Sequence, residues 1–164
     1  MTATDSLAQI PVRLDFDAHA DGFARAMAHL DRAATKELDK VDFDPRLREL
    51  VRIRASQLNG CAYCIDMHSR DLLKFGVAVD KLVLVPVWRD AGEVFSARER
   101  SALGWAETVT RVAETGVPDA DYEAAAGEFS DKELADLTYA IGLMSAFNRL
   151  GISFRSTPAF VSKA

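Results

Sequence analysis

Signals that start or stop helices recur along almost the whole chain, and they limit the possible folds more than any other feature of the sequence. Asp44 followed by Pro45 is typical of an N-cap and the first turn of a helix. Two Ser-x-x-Glu segments, which begin at Ser96 and Ser130, have the spacing of a capping box. Gly76 follows an apolar periodic segment, as a helix-ending glycine does. The pattern predicts a chain built from helices.

The segments between these signals are apolar at three- and four-residue steps, which favours α-helices. Residues 83–87 could instead form a strand, but no neighbouring segment offers a hairpin partner. Asp80 is predicted to cap the short helix around this segment, and Pro86 to bend or end it. We predict an all-α fold: one domain over residues 1–164, arranged as a single orthogonal bundle of six or seven helices. The predicted helices lie at about residues 17–40, 44–58, 61–75, 82–85, 96–114, 119 onward and 130–150.

Composition and charge exclude several classes of function. The chain has 164 residues, a formal net charge of −5 and scattered rather than clustered arginines. A nucleic-acid or anionic-membrane surface would need a concentrated basic patch. No segment approaches the roughly 20 apolar residues of a membrane span. Asp5, Arg13 and Asp15 occupy the place of a signal peptide's apolar stretch, so we expect a cytoplasmic protein without nucleic-acid or membrane partners.

The sequence contains two cysteines, Cys61 and Cys64. A reducing cytoplasm gives little reason for a structural disulfide, and two thiols cannot form a disulfide framework. If the two cysteines pair, we therefore expect the bond to be transient and chemical.

Cys61, Cys64 and His68 share one face of the helix predicted at residues 61–75. A helix turns by about 100° per residue, so spacings of three and seven residues bring the three side chains into a narrow arc. The same face carries Leu72. We therefore expect the thiols and the imidazole to point into an apolar environment.

Glu49 lies on the preceding predicted helix, on a face that a reversal at residues 59–60 could fold against the cysteine helix. The first turn of a helix stabilises a thiolate through its free N–H groups and its dipole, whereas apolar burial favours the neutral thiol. A base or proton relay is needed to decide between these effects. We therefore predict that Glu49, His68 and the two thiols form a chain for proton transfer, and we treat them as the candidate catalytic residues.

Other interpretations of these residues remain open. A zinc site could use Cys61, Cys64 and His68, with Glu49 as the fourth ligand. The cysteines could also be small buried hydrophobic residues, His68 a core histidine and Glu49 a solvated charge. Covalent haem attachment is excluded, because Ile65 and not a histidine follows the second cysteine. We favour the redox interpretation, and we expect neither a metal nor a cofactor.

The run from Glu49 to His68 resembles the core motif of the alkylhydroperoxidase D-like, carboxymuconolactone decarboxylase superfamily. Many members carry the form Asn-Gly-Cys-x-Tyr-Cys-x-x-x-His, which stands here at residues 59–68. The resemblance extends over about residues 10–157, and it includes residues 84–89 (LVPVWR), 96–105 (SARERSALGW) and 148–155 (NRLGISFR).

The resemblance implies an alkylhydroperoxidase D-like helical fold that assembles into homotrimers or homohexamers. It also implies a peroxiredoxin-type alkylhydroperoxidase, an antioxidant enzyme that reduces organic hydroperoxides and is reset by an external dithiol. The residue that matches Cys64 attacks the peroxide, and the one that matches Cys61 relays a proton and then closes the disulfide. The residues that match Glu49 and His68 complete that relay through water. Helix position alone would make Cys61 the more acidic thiol, so the two arguments disagree about the attacking cysteine. We follow the resemblance, which makes Cys64 the attacking residue.

One position departs from the characterised peroxidase branch, which carries a histidine between its cysteines where this chain has Tyr63. The identity of the reductant therefore stays open. Two alternatives to the peroxidase also stay open: a non-redox enzyme like the carboxymuconolactone decarboxylases, and a non-catalytic redox-sensing or binding module. The decarboxylase branch generally lacks the two cysteines, so their presence favours the redox function.

Overall fold

The structure is a computed structural model, and it describes residues 10–159 of the chain. Within that range it contains nine α-helices and no strand, which confirms the all-α prediction, and no helix there is both long and apolar enough to cross a membrane. Asp5, which entered the argument against an export signal, lies outside the described residues, and a single domain over residues 1–164 stays a prediction. The helices are α1 (Phe16–His19), α2 (Asp21–Asp39), α3 (Pro45–Asn59), α4 (Ala62–Lys74), α5 (Val79–Leu84), α6 (Ala97–Thr110), α7 (Val112–Thr115), α8 (Asp119–Ala126) and α9 (Asp131–Phe154), with short 3-10 helices at Val85–Asp90 and Gly92–Val94.

Two helices of four residues each, α1 and α7, account for the difference from the six or seven helices predicted. Each arises where a longer helix was expected. The backbone leaves helical dihedral angles at Ala20 (φ −131°, ψ 44°) and at Arg111 (φ −100°, ψ 32°), which separates α1 from α2 and α7 from α6. Neither residue is a glycine or proline, so no helix-breaking signal marks the interruption in the sequence.

The helix caps follow the sequence signals with one exception. Asp44 accepts a backbone hydrogen bond at 2.9 Å at the start of α3, and both predicted capping boxes, at Ser96 and Ser130, are formed. The prediction that Asp80 caps α5 is wrong, because Ala78 occupies the cap position and Asp80 lies in the first turn. A carboxylate in the first turn still interacts favourably with the positive end of the helix dipole.

Helix α3 lies at the centre of the bundle, in contact with α4, α6 and α9. Most of its buried apolar side chains belong to two clusters, one shared with α2, α6, α8 and α9, the other with α4, α6 and the 3-10 segment that carries Trp88. A third, smaller cluster joins α3 to the two cysteines and to Met144 of α9. Because α3 is covered on several sides, a polar side chain on it can be held well away from water.

One helix is less buried than its sequence indicates. The apolar repeat of α2 includes Phe23 and Leu30, which are 80% and 52% exposed. Leu38 is the only residue of this helix that is fully buried. The spacing of apolar residues therefore predicts the helix correctly but not how much of it the single chain covers.

Replacing Ser130 with Ala should lower the free energy of unfolding by about 1 kcal/mol, the usual contribution of an N-cap side chain. The Ser130 hydroxyl accepts the Glu133 N–H at 3.3 Å, and the Glu133 carboxylate accepts the Ser130 N–H at 2.9 Å. Urea titration measures the loss. The matched control is Ser153→Ala, at an exposed position near the other end of α9. Equal losses in the two variants would contradict the capping role.

Candidate active site

A tight reversal joins α3 to α4 and brings residues of the two helices together. Gly60 follows α3 in the left-handed region, with φ of 77°, where a side chain would be strained. The N–H groups of Gly60 and Cys61 donate to the carbonyls of Gln57 and Ser56 at 3.2 and 3.0 Å. The reversal predicted at residues 59–60 is therefore present, and α4 starts almost directly after it.

The two cysteines occupy the N-terminal end of α4. Cys61 is the N-cap residue, so the helix begins one position later than predicted, and its sulfur accepts the Cys64 N–H at 3.4 Å. Both side chains are free thiols, and they are 1% and 3% exposed, as the apolar face of the helix indicated. The free N–H groups of the first turn favour a negative charge at this end of the helix.

A hydrogen bond between the two thiols shifts their pKa values in opposite directions. The hydrogen bond from the Cys64 thiol lowers the pKa of Cys61 to about 7. Burial opposes this shift, and the Asn148 amide adds to it. The same bond, together with burial and the nearby Cys61 charge, raises the pKa of Cys64. At neutral pH the pair therefore holds a proton on Cys64 and a substantial fraction of thiolate on Cys61. The order of acidity agrees with the argument from helix position.

Glu49 and His68 meet between α3 and α4. Glu49 Oε2 lies 2.6 Å from His68 Nδ1, and the two residues are 3% and 2% exposed. A carboxylate at this distance favours the tautomer with the proton on Nδ1, which leaves Nε2 as an acceptor. Nε2 is buried and has no hydrogen-bond partner among the described residues. The predicted contact between the two residues is present, while their catalytic roles stay a prediction.

Two arginines stabilise the Glu49 carboxylate. Arg52 Nη1 lies 3.1 Å from Glu49 Oε1, and Arg48 Nε lies 3.7 Å from the same oxygen. Burial alone would raise the pKa of Glu49, but the hydrogen bond from His68 and the charge of Arg52 outweigh burial and hold it below its usual value. Arg52 also donates to Asp31 of α2 at 2.8 Å. Arg52 is not among the site residues predicted from the sequence, although its spacing of three residues from Glu49 on a helix is a signal for such a pair.

Asn148 of α9 is a further buried polar group at the thiols. Its Nδ2 donates to Ser56 Oγ at 3.0 Å, and its Oδ1 accepts from Asn59 at 3.0 Å. It also contributes, after the thiol and the backbone N–H of Cys64, to the lowered pKa of Cys61. Asn148 is not among the site residues predicted from the sequence, because it lies 92 positions from Ser56 and no local pattern indicates their contact.

Helix α9 approaches the thiols at Gly151. A Cβ atom at this position would lie 3.1 Å from the Cys61 sulfur and 4.0 Å from the Cys64 sulfur. The first distance is shorter than ordinary van der Waals contact, so a side chain here would press on the thiol pair. Glycine therefore allows α9 to pack directly against the Cys-x-x-Cys turn.

Two cavities reach the thiols. The larger, of about 620 Å³, is lined by Cys64 and His68, whereas the smaller, of about 360 Å³, is lined by Cys61. The larger volume is in the usual range for small-molecule sites. Cys64 is therefore the thiol that shares a ligand-sized space with the histidine. The apolar residues that line this larger cavity are Val12, Leu14, Phe16, Met67, Met144 and Phe147.

The zinc site considered from the sequence, in which the two cysteines bind the metal together with His68 and Glu49, is not formed. Among the described residues, Glu49, His68 and Asp71 offer ligand atoms within 4.8 Å of one another, and neither cysteine belongs to this group. The two oxygens of Glu49 are already engaged, one by His68 and the other by Arg52. The prediction of no metal stays a prediction, which zinc analysis of protein purified without chelator would test.

Fold and site together define a helical protein with a buried Cys-x-x-Cys pair, a Glu–His pair beside it and a cavity of ligand size. The chain belongs to the carboxymuconolactone decarboxylase family, whose sequence model matches residues 21–108. The matched range contains all four candidate catalytic residues.

Two bacterial relatives are similar over about two thirds of the chain. The uncharacterised protein YdfG of Bacillus subtilis is 33% identical over 112 residues, which are 68% of this chain and 76% of that protein. The uncharacterised protein YnjA of Escherichia coli is 35% identical over 109 residues, which are 66% of this chain and 59% of that protein.

Two solved structures share the fold. A protein of unknown function from Agrobacterium tumefaciens, described as a candidate antioxidant defence protein AhpD, superposes with a TM-score of 0.84 and 33% identity, over 90% of this chain and 98% of that one. An uncharacterised peroxidase-related protein from Silicibacter sp. TM1040 superposes with a TM-score of 0.68 over 94% of this chain and 95% of that one. The identity in the second case is 19%, so it supports the fold alone. The alkylhydroperoxidase D-like architecture predicted from the sequence is confirmed.

Replacing Cys64 with Ala should raise the pKa of Cys61 from about 7 towards or above the ordinary thiol value of about 8.5, because the main donor to its thiolate is lost while burial remains. The rate of Cys61 alkylation by iodoacetamide, followed by intact mass across the pH range, measures this change. Cys64→Ser is the matched variant, since its hydroxyl can still donate, and it should give an intermediate pKa. An unchanged pKa in the alanine variant would show that groups other than Cys64 hold the thiolate.

Proposed function

We propose that this protein is a thiol peroxidase that reduces organic hydroperoxides through a dithiol/disulfide cycle at Cys61 and Cys64. The main support is the hydrogen-bonded thiol pair, with one thiol of pKa about 7 and the other on the wall of a cavity of about 620 Å³. The similar structure described as a candidate antioxidant protein agrees with this class of activity.

In the proposed first step Cys64 attacks the distal oxygen of a hydroperoxide bound in the larger cavity. The Cys64 proton passes to the Cys61 thiolate along their hydrogen bond as the new S–O bond forms and the O–O bond breaks. The products are a sulfenic acid on Cys64 and an alkoxide, which takes up a proton to become the alcohol. Cys61 thus acts as the base, which reconciles its lower pKa with attack by its neighbour.

Glu49 and His68 are proposed to complete the proton relay through water. His68 lines the same cavity as Cys64, and its buried Nε2 has no partner among the described residues. The Glu49 contact at Nδ1 would stabilise His68 whenever it carries a second proton. The pair can therefore deliver a proton to the departing alkoxide and recover it from the solvent.

In the second step the Cys61 thiol condenses with the sulfenic acid, which forms the Cys61–Cys64 disulfide and releases water. An external dithiol then reduces the disulfide by two exchange steps and is itself oxidised. The proposal specifies the reductant only as a dithiol. Assembly into a homotrimer or homohexamer, a cytoplasmic location and the absence of a cofactor remain part of the proposal.

The proposal is tested by the intact mass of reduced protein before and after one equivalent of cumene hydroperoxide. Wild type should lose about 2 Da and become resistant to alkylation at both cysteines, because an internal disulfide replaces two thiols. Cys64→Ser should show no such loss and no peroxide turnover. Two thiols that stay alkylatable in wild type would refute the peroxidase and favour a non-redox enzyme of the same family.

Replacing Glu49 with Gln should slow the peroxide reaction by about 100-fold, the usual contribution of a positioned acid–base group, because the amide cannot hold the relay charge. Stopped-flow oxidation of the thiols measures the rate. Glu107→Gln is the control, because Glu107 is also a largely buried carboxylate, which accepts from Arg54 at 2.6 Å and from Trp88 at 2.9 Å outside the larger cavity. The control should keep the wild-type rate in folded protein, and an unchanged rate in Glu49→Gln would remove Glu49 from the relay.

A further inference from the structure

The cavity that opens onto Cys64 combines an apolar lining with an excess of negative charge. Four aspartates line it, and Arg52 is the only arginine or lysine among the described lining residues. The aspartates come from three segments of the chain, so the charge is spread around the space instead of marking one helix end. They are Asp15 and Asp17 at the start of α1, Asp31 of α2 and Asp71 of α4.

The lining arginine is already paired with carboxylates. Arg52 lies 2.8 Å from Asp31 and 3.1 Å from the buried Glu49. Asp71 has its own partner, Lys74, at 2.6 Å, but the Lys74 side chain is 74% exposed and does not line the cavity. Lys74 therefore offsets part of the Asp71 charge, and because Asp15 and Asp17 are exposed as well, salt screens charges of both signs here. The lining residues therefore carry an excess of negative formal charge.

The segment that supplies Asp15 and Asp17 is fixed over the cavity by contacts with the end of α9. The Arg13 N–H donates to the Phe154 carbonyl at 3.0 Å, and the rings of Phe16 and Phe154 lie 5.6 Å apart. Asp15 itself caps α1, accepting the Ala18 N–H at 3.1 Å. The two carboxylates are thus held at the wall of the cavity by backbone structure and aromatic packing.

We infer that this cavity is a charge-selective entrance to Cys64, which admits bulky uncharged or cationic reactants and disfavours reactants that carry a carboxylate. The apolar lining accepts an alkyl or aryl group, and the buried Nε2 of His68 offers one polar partner inside. Like charges in a cleft with low-dielectric walls slow the approach of an anion. Applied to substrates, the inference rests on the proposed function. It then predicts that neutral organic hydroperoxides are preferred to anionic ones such as fatty-acid hydroperoxides.

The first test needs no peroxidase activity. In a Cys61→Ser background, Cys64 is the single thiol, and its alkylation rates with iodoacetamide and iodoacetate compare a neutral with an anionic reagent. After each rate is divided by that of 2-mercaptoethanol, iodoacetate should be about tenfold slower at low ionic strength. The ratio should approach one in about 0.5 M salt, where charges are screened. Equal normalised rates at low salt would overturn the inference.

Charge variants identify the source of the selectivity. Asp17→Asn with Asp71→Asn, in the same background, should remove most of the difference between the two reagents while leaving the Arg52 contacts in place. The control is Asp119→Asn with Asp121→Asn, which removes the same charge from exposed positions on α8 outside the cavity. The control should keep the full difference. Selectivity lost equally in both pairs would refute an effect local to the cavity.

A second comparison addresses the substrate. Wild type should reduce cumene hydroperoxide faster than its ring-carboxylated analogue at low salt, by a factor similar to that of the alkylating reagents. If neither hydroperoxide reacts while alkylation still discriminates, the entrance is charge-selective and the peroxidase proposal fails. If both hydroperoxides react equally fast, the peroxidase stands and the inference is overturned.

Discussion

The left-handed turn at Gly60 brings the four candidate catalytic residues together, because it reverses the chain between α3 and α4 within two residues. The reversal places Cys61 at the cap of α4, where its sulfur meets the free N–H of Cys64. It also lays the face of α3 that carries Glu49 against the face of α4 that carries His68. A side chain at Gly60 would strain this turn. A change in the turn would disturb both the Cys61–Cys64 contact and the Glu49–His68 contact. The thiol pair and the Glu–His pair are thus two consequences of one backbone conformation.

Burial of the Glu49 carboxylate imposes the next constraint. An unpaired charge in the interior would cost several kcal/mol, so the fold must supply partners for it. His68 and Arg52 do so from within α3 and α4, and Arg52 then requires a carboxylate of its own. Asp31 of α2 provides this carboxylate, with its Oδ1 2.8 Å from Arg52 Nη2. The ion pairs therefore extend from the buried Glu49 to the wall of the larger cavity. The acidic character of the cavity follows in part from the need to keep a buried carboxylate ionised.

The sequence predicts those features of the fold and site that depend on near neighbours. The caps at Asp44, Ser96 and Ser130, the reversal after α3 and the shared face of the cysteines and His68 all follow from spacings within a few residues. Features that depend on distant contacts were not predictable from spacing. Asn148 contacts Ser56 across 92 positions, and the segment that carries the carboxylates at the start of α1 is bonded to the end of α9. The exposure of Phe23 on α2 likewise depends on what the rest of the chain leaves uncovered.

The unequal acidities of the thiols give each cysteine a consistent part in both halves of the proposed cycle. A thiol of raised pKa is the stronger nucleophile once its proton is removed, which suits Cys64 as the attacking group. In the disulfide, the sulfur with the lower pKa leaves faster, so an incoming dithiol is expected to attack Cys64 and release Cys61 as thiolate. Both the peroxide and the reductant would then approach the same sulfur through the same cavity. Its negative charge therefore acts on both reactants, and a dithiol that carries a carboxylate would meet the same barrier as an anionic peroxide.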